Sequence, residues 1–125
     1  MKKSVVWILT NNQKEVLLQK RTADYKRFPK MWTLFGGGTN SNEKPEKAVK
    51  RELKEELGIE LNLKFCGEFF YTQLKGKKQY IYLFKGKLNN LKKTSLKEGN
   101  GVAFFSKEEL KDLNCPDIEL IKKWI

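Results

Sequence analysis

A chain of 125 residues, 39% apolar and 12% aromatic, is one folded domain, long enough for a real core and too short for two. Its 26 Lys and Arg against 15 Asp and Glu leave a formal charge of +11, and it contains no histidine. A serine triad is therefore excluded, and Cys66 and Cys115, far apart and without C-x-x-C spacing, give no readable zinc site. In chain order, Lys3–Thr10 and Glu15–Arg21 read as strands joined at an Asn-Asn turn. The opening MKKSVVWILT has a five-residue apolar run, too short for a signal peptide or a membrane span, so a cytoplasmic protein is expected. Thr22–Met31 is a polar loop, and Trp32–Phe35 is a short strand that delivers the chain to a glycine loop, Gly36-Gly37-Gly38.

A helix is predicted from Pro45, where proline suits a first helical position, to Gly58, which is placed to end it. Leu61–Thr72 and Lys78–Lys87 form a hairpin rich in β-branched and aromatic residues, followed by a strand at Gly101–Phe105. Ser106-Lys107-Glu108-Glu109 is a capping-box pattern opening a short helix, and Asp117–Trp124 closes the chain as another. Mixed strands with helices on either side give an α/β/α sandwich around a mixed β-sheet.

The central helix carries the chemistry. Val49, Leu53 and Leu57 share a stripe that can face a core, while Lys47, Lys50 and Lys54 cluster on another face. Glu52, Glu55 and Glu56 stand at i, i+3 and i+4, so three carboxylates share one flank and repel one another by a few tenths of a kcal/mol per pair. A solvated acidic face is one explanation; a divalent, oxygen-seeking cation is the other. Without histidine, the general base is a carboxylate, a lysine, a tyrosine or a metal-bound hydroxide, which favours metal-activated water attacking phosphorus.

Residues 37–59 read GGTNSNEKPEKAVKRELKEELGI and match the pattern G-x5-E-x7-R-E-U-x-E-E-x-G-U, with U aliphatic, at every fixed position. Gly37, Glu43, Arg51, Glu52, Glu55, Glu56 and Gly58 are the fixed letters, and Leu53 and Ile59 fill the aliphatic slots. The chain thus resembles a Nudix hydrolase of the small, MutT-like kind, and the order of elements is what that fold implies. The resemblance implies Mg2+, with Mn2+ as a substitute, held by Glu52, Glu55 and Glu56, with Gly36 and Gly37 shaping a loop near metal and phosphates. Arg51 and Glu43 would be a structural pair holding loop against helix. The implied substrate is a nucleoside diphosphate linked to another group, with a nucleoside triphosphate favoured, an oxidised one such as 8-oxo-dGTP included.

Outside the box, Lys97-Glu98-Gly99 is similar to a loop whose glutamate assists the metal centre; Glu98 is carried as a further ligand or base, or as a plain acidic turn residue. Asp117 falls where related enzymes place a base-reading residue, and it equally suits the N-cap of the last helix. Phe35, Asn40, Asn42 and Lys44 depart from the commonest pattern, Asn40 removing a carboxylate and Lys44 a good cap. At the distance after the box where some subfamilies carry a proline or tyrosine marker stand Leu74 and Lys75. Two alternatives stand beside triphosphate hydrolysis: removal of pyrophosphate from the 5′ end of RNA, and a non-catalytic nucleotide-binding module. The lysines sit at turns such as Lys75-Gly76-Lys77-Lys78, where a solvated surface is the default, and no RNA-binding aromatic motif is evident. Their field would attract a polyphosphate in any case. No membrane partner is expected, and the protein is expected to act as a monomer or homodimer.

Overall fold

The computed structural model describes residues 3–21, 31–72, 78–89 and 101–125. Among them, seven strands form one mixed sheet. Strand β1, Lys3–Thr10, is its axis because Ser4 to Leu9 are all buried, so both of its faces carry apolar cover. Along its whole length it runs parallel to β6 (Lys78–Lys87), from Lys3↔Tyr80 to Thr10↔Lys87. Its other side is shared between β2 (Val16–Lys20), at Thr10↔Val16, and β4 (Phe35–Gly38), from Ser4↔Gly38 to Trp7↔Phe35. β2 in turn pairs with β3 (Trp32–Thr33) and with β7 (Gly101–Phe105), and β5 (Lys64–Thr72) pairs antiparallel with β6 at the far edge.

The period of two along β1 sorts the side chains into two cores. Val5, Trp7 and Leu9 pack with Phe35, Phe84 and the stripe Ala48, Val49, Leu53 and Leu57 of helix α1, Pro45–Leu57. Val6 and Ile8 pack on the opposite face with Leu110 of α2 (Lys107–Leu110) and with Leu120 and Ile121 of α3 (Ile118–Trp124). Helices on both faces of a mixed sheet make the expected α/β/α sandwich. Among the described residues no helix is long and apolar enough to cross a membrane.

Local signals behave as their chemistry requires. Pro45 opens α1, Lys44 supplies no side-chain cap, and Gly58 at φ 68° closes the helix with its N–H on the Lys54 carbonyl. Ser106 and Glu109 form a reciprocal capping box at the start of α2. Two expectations change. The strand expected over 32–35 is broken at Leu34, and the Gly36-Gly37-Gly38 loop is itself strand, because its backbone pairs with β1. Asp117 occupies the N-cap position of α3 without a side-chain cap hydrogen bond, its carboxylate being engaged elsewhere.

Candidate functional site

The junction of β4 and α1 is organised around one guanidinium. Arg51 Nε and Nη2 donate to the two oxygens of Glu43, each at 2.9 Å, and Nη2 also donates to the Gly38 carbonyl at 3.0 Å. Its Nη1 donates to Glu52 Oε1 at 2.9 Å and reaches the two oxygens of Glu55 at 3.3 and 3.4 Å. The expected Arg51–Glu43 pair is present and bidentate, the geometry a planar fork gives and a lysine cannot. Arg51 does more than that pairing, however: it ties loop, strand and two of the three helix carboxylates to one point. The repulsion expected along the acidic flank is therefore relieved from within the box, by a residue of the same helix.

Glu43 is further held by the Asn40 backbone N–H at 2.9 Å. The Arg51 hydrogen bonds, with help from Asn40, hold its carboxyl down to about 2. The Arg51 guanidinium is correspondingly raised, chiefly by Glu43. The turn between them places Asn42 at φ 63°, a left-handed conformation that glycine adopts freely and asparagine tolerates.

Glu52 is the buried member of the acidic set, 8% exposed, and burial raises its carboxyl above the usual range against the lowering effect of Arg51. Gly37 makes the space for it, since a Cβ there would sit on the Glu52 carboxylate itself. Gly36 is constrained differently: a Cβ would come within 2.7 Å of the Val5 carbonyl oxygen across the β4–β1 pair. The Glu55 side chain is exposed, and Glu56 is half-buried on the same flank. Among the described residues no three acidic or thiol side chains converge closely enough to form a ready metal centre. With Arg51 bonded to Glu52 and Glu55, the cationic position beside these oxygens is already filled by the guanidinium. Glu98 lies outside the described residues.

Asp117 belongs to a second polar cluster on the opposite face. It is 2% exposed; Oδ2 accepts the Leu34 N–H at 2.9 Å, and Oδ1 accepts the Tyr71 hydroxyl at 2.6 Å. Burial, then the adjacent Asp117 charge, raises the Tyr71 phenol far above its usual range. Neighbouring Cys115, buried in the same region, is pushed up to about 12. Leu34 is where β3 gives way to β4, so Asp117 accepts the N–H that the strand break leaves over. Tyr71 was missed from the sequence: alternation along β5 could place it inward, but nothing local links it to a carboxylate 46 positions away.

The profile of the NUDIX domain matches residues 1–124. A nucleoside triphosphatase NudI from Klebsiella pneumoniae is 33% identical over 126 residues, covering 90% of this chain and 89% of that protein. Its Escherichia coli O139:H28 counterpart is 35% identical over 88 residues, 65% of this chain, and the match spans 62% of that protein's length. Among solved structures, a MutT protein from Methanosarcina mazei shares the fold at a TM-score of 0.78, with 24% identity over 98% of this chain and 93% of that one. The Gly37–Glu52 contact and the Arg51 fork are thus set in a matching fold, and the chain belongs to the NUDIX domain family.

Proposed function

We propose that this protein hydrolyses nucleoside triphosphates to the monophosphate and pyrophosphate, with Glu52, Glu55 and Glu56 as the working carboxylates. The observation that carries this reading is the Glu52 carboxylate lodged under Gly37 and fixed by Arg51, a buried acid held in one place beside exposed Glu55. The nucleoside triphosphatase relatives support the substrate class.

The donors are the all-oxygen, anionic kind that Mg2+ or Mn2+ takes, and holding an ion would require Glu55 to turn from Arg51 and converge with Glu52 and Glu56 beside the backbone of Gly36 and Gly37. A bound divalent ion would supply an activated water and offset charge on the phosphoryl oxygens. The protein's own part is positional. Arg51 orients Glu52 and Glu55, and Glu43 keeps the guanidinium from following an incoming anion. Glu55, whose contacts to Arg51 are long and exposed, is the ligand freest to turn toward a cation. Glu52, its carboxyl raised by burial, is suited to accept a proton from the attacking water. Glu98 is proposed as an additional ligand or base from the family resemblance alone. Selection of an oxidised base by Asp117 would require the base to replace Tyr71 or Leu34 as its partner, since both carboxylate oxygens accept internal hydrogen bonds.

The test is a panel of canonical and oxidised nucleoside triphosphates, ADP-ribose, dinucleoside polyphosphates and triphosphorylated RNA, assayed with and without Mg2+, with Glu55→Gln as the blank. Pyrophosphate release from a triphosphate, lost on chelation and reduced at least ~100-fold in Glu55→Gln, is expected. Full activity in that variant would refute the assignment of the carboxylates, and preference for triphosphorylated RNA would replace the substrate.

A further inference from the structure

The face of the sheet under α1 is covered at one end and open at the other. Trp7 and Phe84, paired across β1 and β6, are buried there. The next pairs toward the start of β1 bring Val5 beside Tyr82 and Lys3 beside Tyr80, and Tyr80 is in turn paired with Phe70 of β5. Lys3, Tyr80 and Phe70 therefore form a row across three strands, and Phe70, 55% exposed, is the most open large apolar side chain among the described residues. The rings touch edge to face, with centroids 5.0 Å apart for Phe70–Tyr80 and 5.8 Å for Tyr80–Tyr82. The Lys78 ammonium lies 4.7 Å from the Phe70 centroid, and that of Lys3 lies 5.7 Å from Tyr80. Beyond Tyr82 the surface continues into an open cavity of about 410 Å³ between Lys3, Tyr82 and the 39–43 turn gripped by Arg51.

Phe70 is exposed and Tyr80 and Tyr82 are half-buried beside it, and an aromatic cluster reaching the surface needs an occupant or a reason. Three rings with ammonium groups at their margins, in a protein of charge +11, fit bases that stack and phosphates that pair. Stacking on aromatics beside cations is how single strands are held without sequence preference. A second copy of this chain is the less suitable occupant, since two molecules each of net charge +11 repel. We propose that Phe70, Tyr80 and Tyr82, flanked by Lys3 and Lys78, form a stacking platform for single-stranded nucleic acid. This surface is separate from Glu52, Glu55 and Glu56, although its cavity reaches Glu43, and it does not depend on the hydrolytic reading. Glu68, opposite Tyr82 and accepting the Tyr80 hydroxyl at 3.1 Å, is the carboxylate that works against it.

The experiment is fluorescence anisotropy of labelled ten-nucleotide RNA and DNA strands bearing a 5′-hydroxyl, which offer no pyrophosphate to cleave. The full-length protein should bind them at 50 mM salt and weaken steeply by 200 mM. Phe70→Ala and Lys78→Ala should each weaken binding about fivefold or more, Phe70→Tyr should retain it, and Glu68→Gln should strengthen it. Duplex of the same length should bind more weakly, because its bases are already stacked. The RNA and DNA arms identify which strand is preferred. Absence of binding at 50 mM salt overturns the proposal. So does equal affinity of wild type and a folded Phe70→Ala, which would reduce binding to bulk charge. A dimer by sedimentation that Phe70→Ala dissolves, with no strand bound, would instead assign the surface to contact between copies.

Discussion

Two carboxylate clusters anchor β4, one from each face of the sheet, and they are built in opposite ways. The Arg51 cluster draws Gly38, Glu43, Glu52 and Glu55 from a single run of sequence, with Glu55 open to water and the others partly or wholly covered. The Asp117 cluster joins Leu34, Tyr71 and Asp117 from three distant segments, and its carboxylate is almost wholly buried. On the proposed function, Glu55, the exposed member of the first, turns from Arg51 toward a metal ion, and water can follow it there. The second has no such latitude, since an unmet buried donor or acceptor costs far more than an exposed one. On the proposed function the first cluster serves the chemistry, while the second holds the β3–β4 junction beside it.

The sharpest way to break this contrast is to alter each cluster by its smallest part. Gly37→Ala adds a single methyl onto the Glu52 carboxylate, so Glu52 must leave its place or the strand must shift. Hydrolysis should fall about 100-fold, a cost of roughly 2.7 kcal/mol in the barrier, while the protein stays folded. Circular dichroism and turnover measured together decide it: unaltered turnover would mean that Glu52 is not needed where it sits. Asp117→Ala should do the converse. Losing two hydrogen bonds to a buried charge should cost about 3 kcal/mol of stability, with the Leu34 N–H and Tyr71 hydroxyl left unmet. Tyr71→Phe removes one of the two and should cost about 1–2 kcal/mol by urea unfolding. If Asp117→Ala lowered stability by less than Tyr71→Phe, the cluster would not be the anchor described.

The same difference explains what could be read from the sequence. The Arg51 cluster lies within a window of 18 residues, Gly38 to Glu55, where helical periodicity fixes which side chains share a flank, and Gly37 just before it marks a place no Cβ fits. Helical spacing sets Glu52 and Glu55 on one flank and Gly58 at the helix end, whereas the Glu43–Arg51 pair is implied by the family resemblance. Neither reveals that Arg51 bonds Glu52 and Glu55 as well, because guanidinium reach depends on how loop 39–44 folds back. The glycines were read as loop because glycine is a poor strand former; close pairing with β1, not propensity, makes them strand. Asp117 stands out in the sequence as a base-reading position by family resemblance and as an N-cap candidate, but its partners depend on sheet topology, which brings β5 and the β3–β4 junction to the same end of α3. The aromatic row was equally hidden, since Phe70, Tyr80 and Lys3 become neighbours only through strand register.

The smallest predicted effect sharpens the comparison by titration. Glu43 is held at about 2 in the folded protein against 4.5 for an ordinary glutamate, so its pairing stabilises the charged form. A group depressed on folding contributes stability above its unfolded value and loses that contribution as pH falls through the folded one. Arg51 stays protonated throughout, so the window runs from about pH 4.5 down to about 2. The pair is partly open to solvent and screened, so the change is modest. Wild type should exceed Glu43→Gln in thermal stability at pH 6 and converge on it toward pH 2. Added salt should narrow the gap at pH 6, because Arg51 and Glu43 are within reach of mobile ions. Two curves that stay parallel from pH 6 to pH 2 would mean that Glu43 holds the turn by shape alone, and the part-exposed cluster would then resemble the buried one more than its geometry implies.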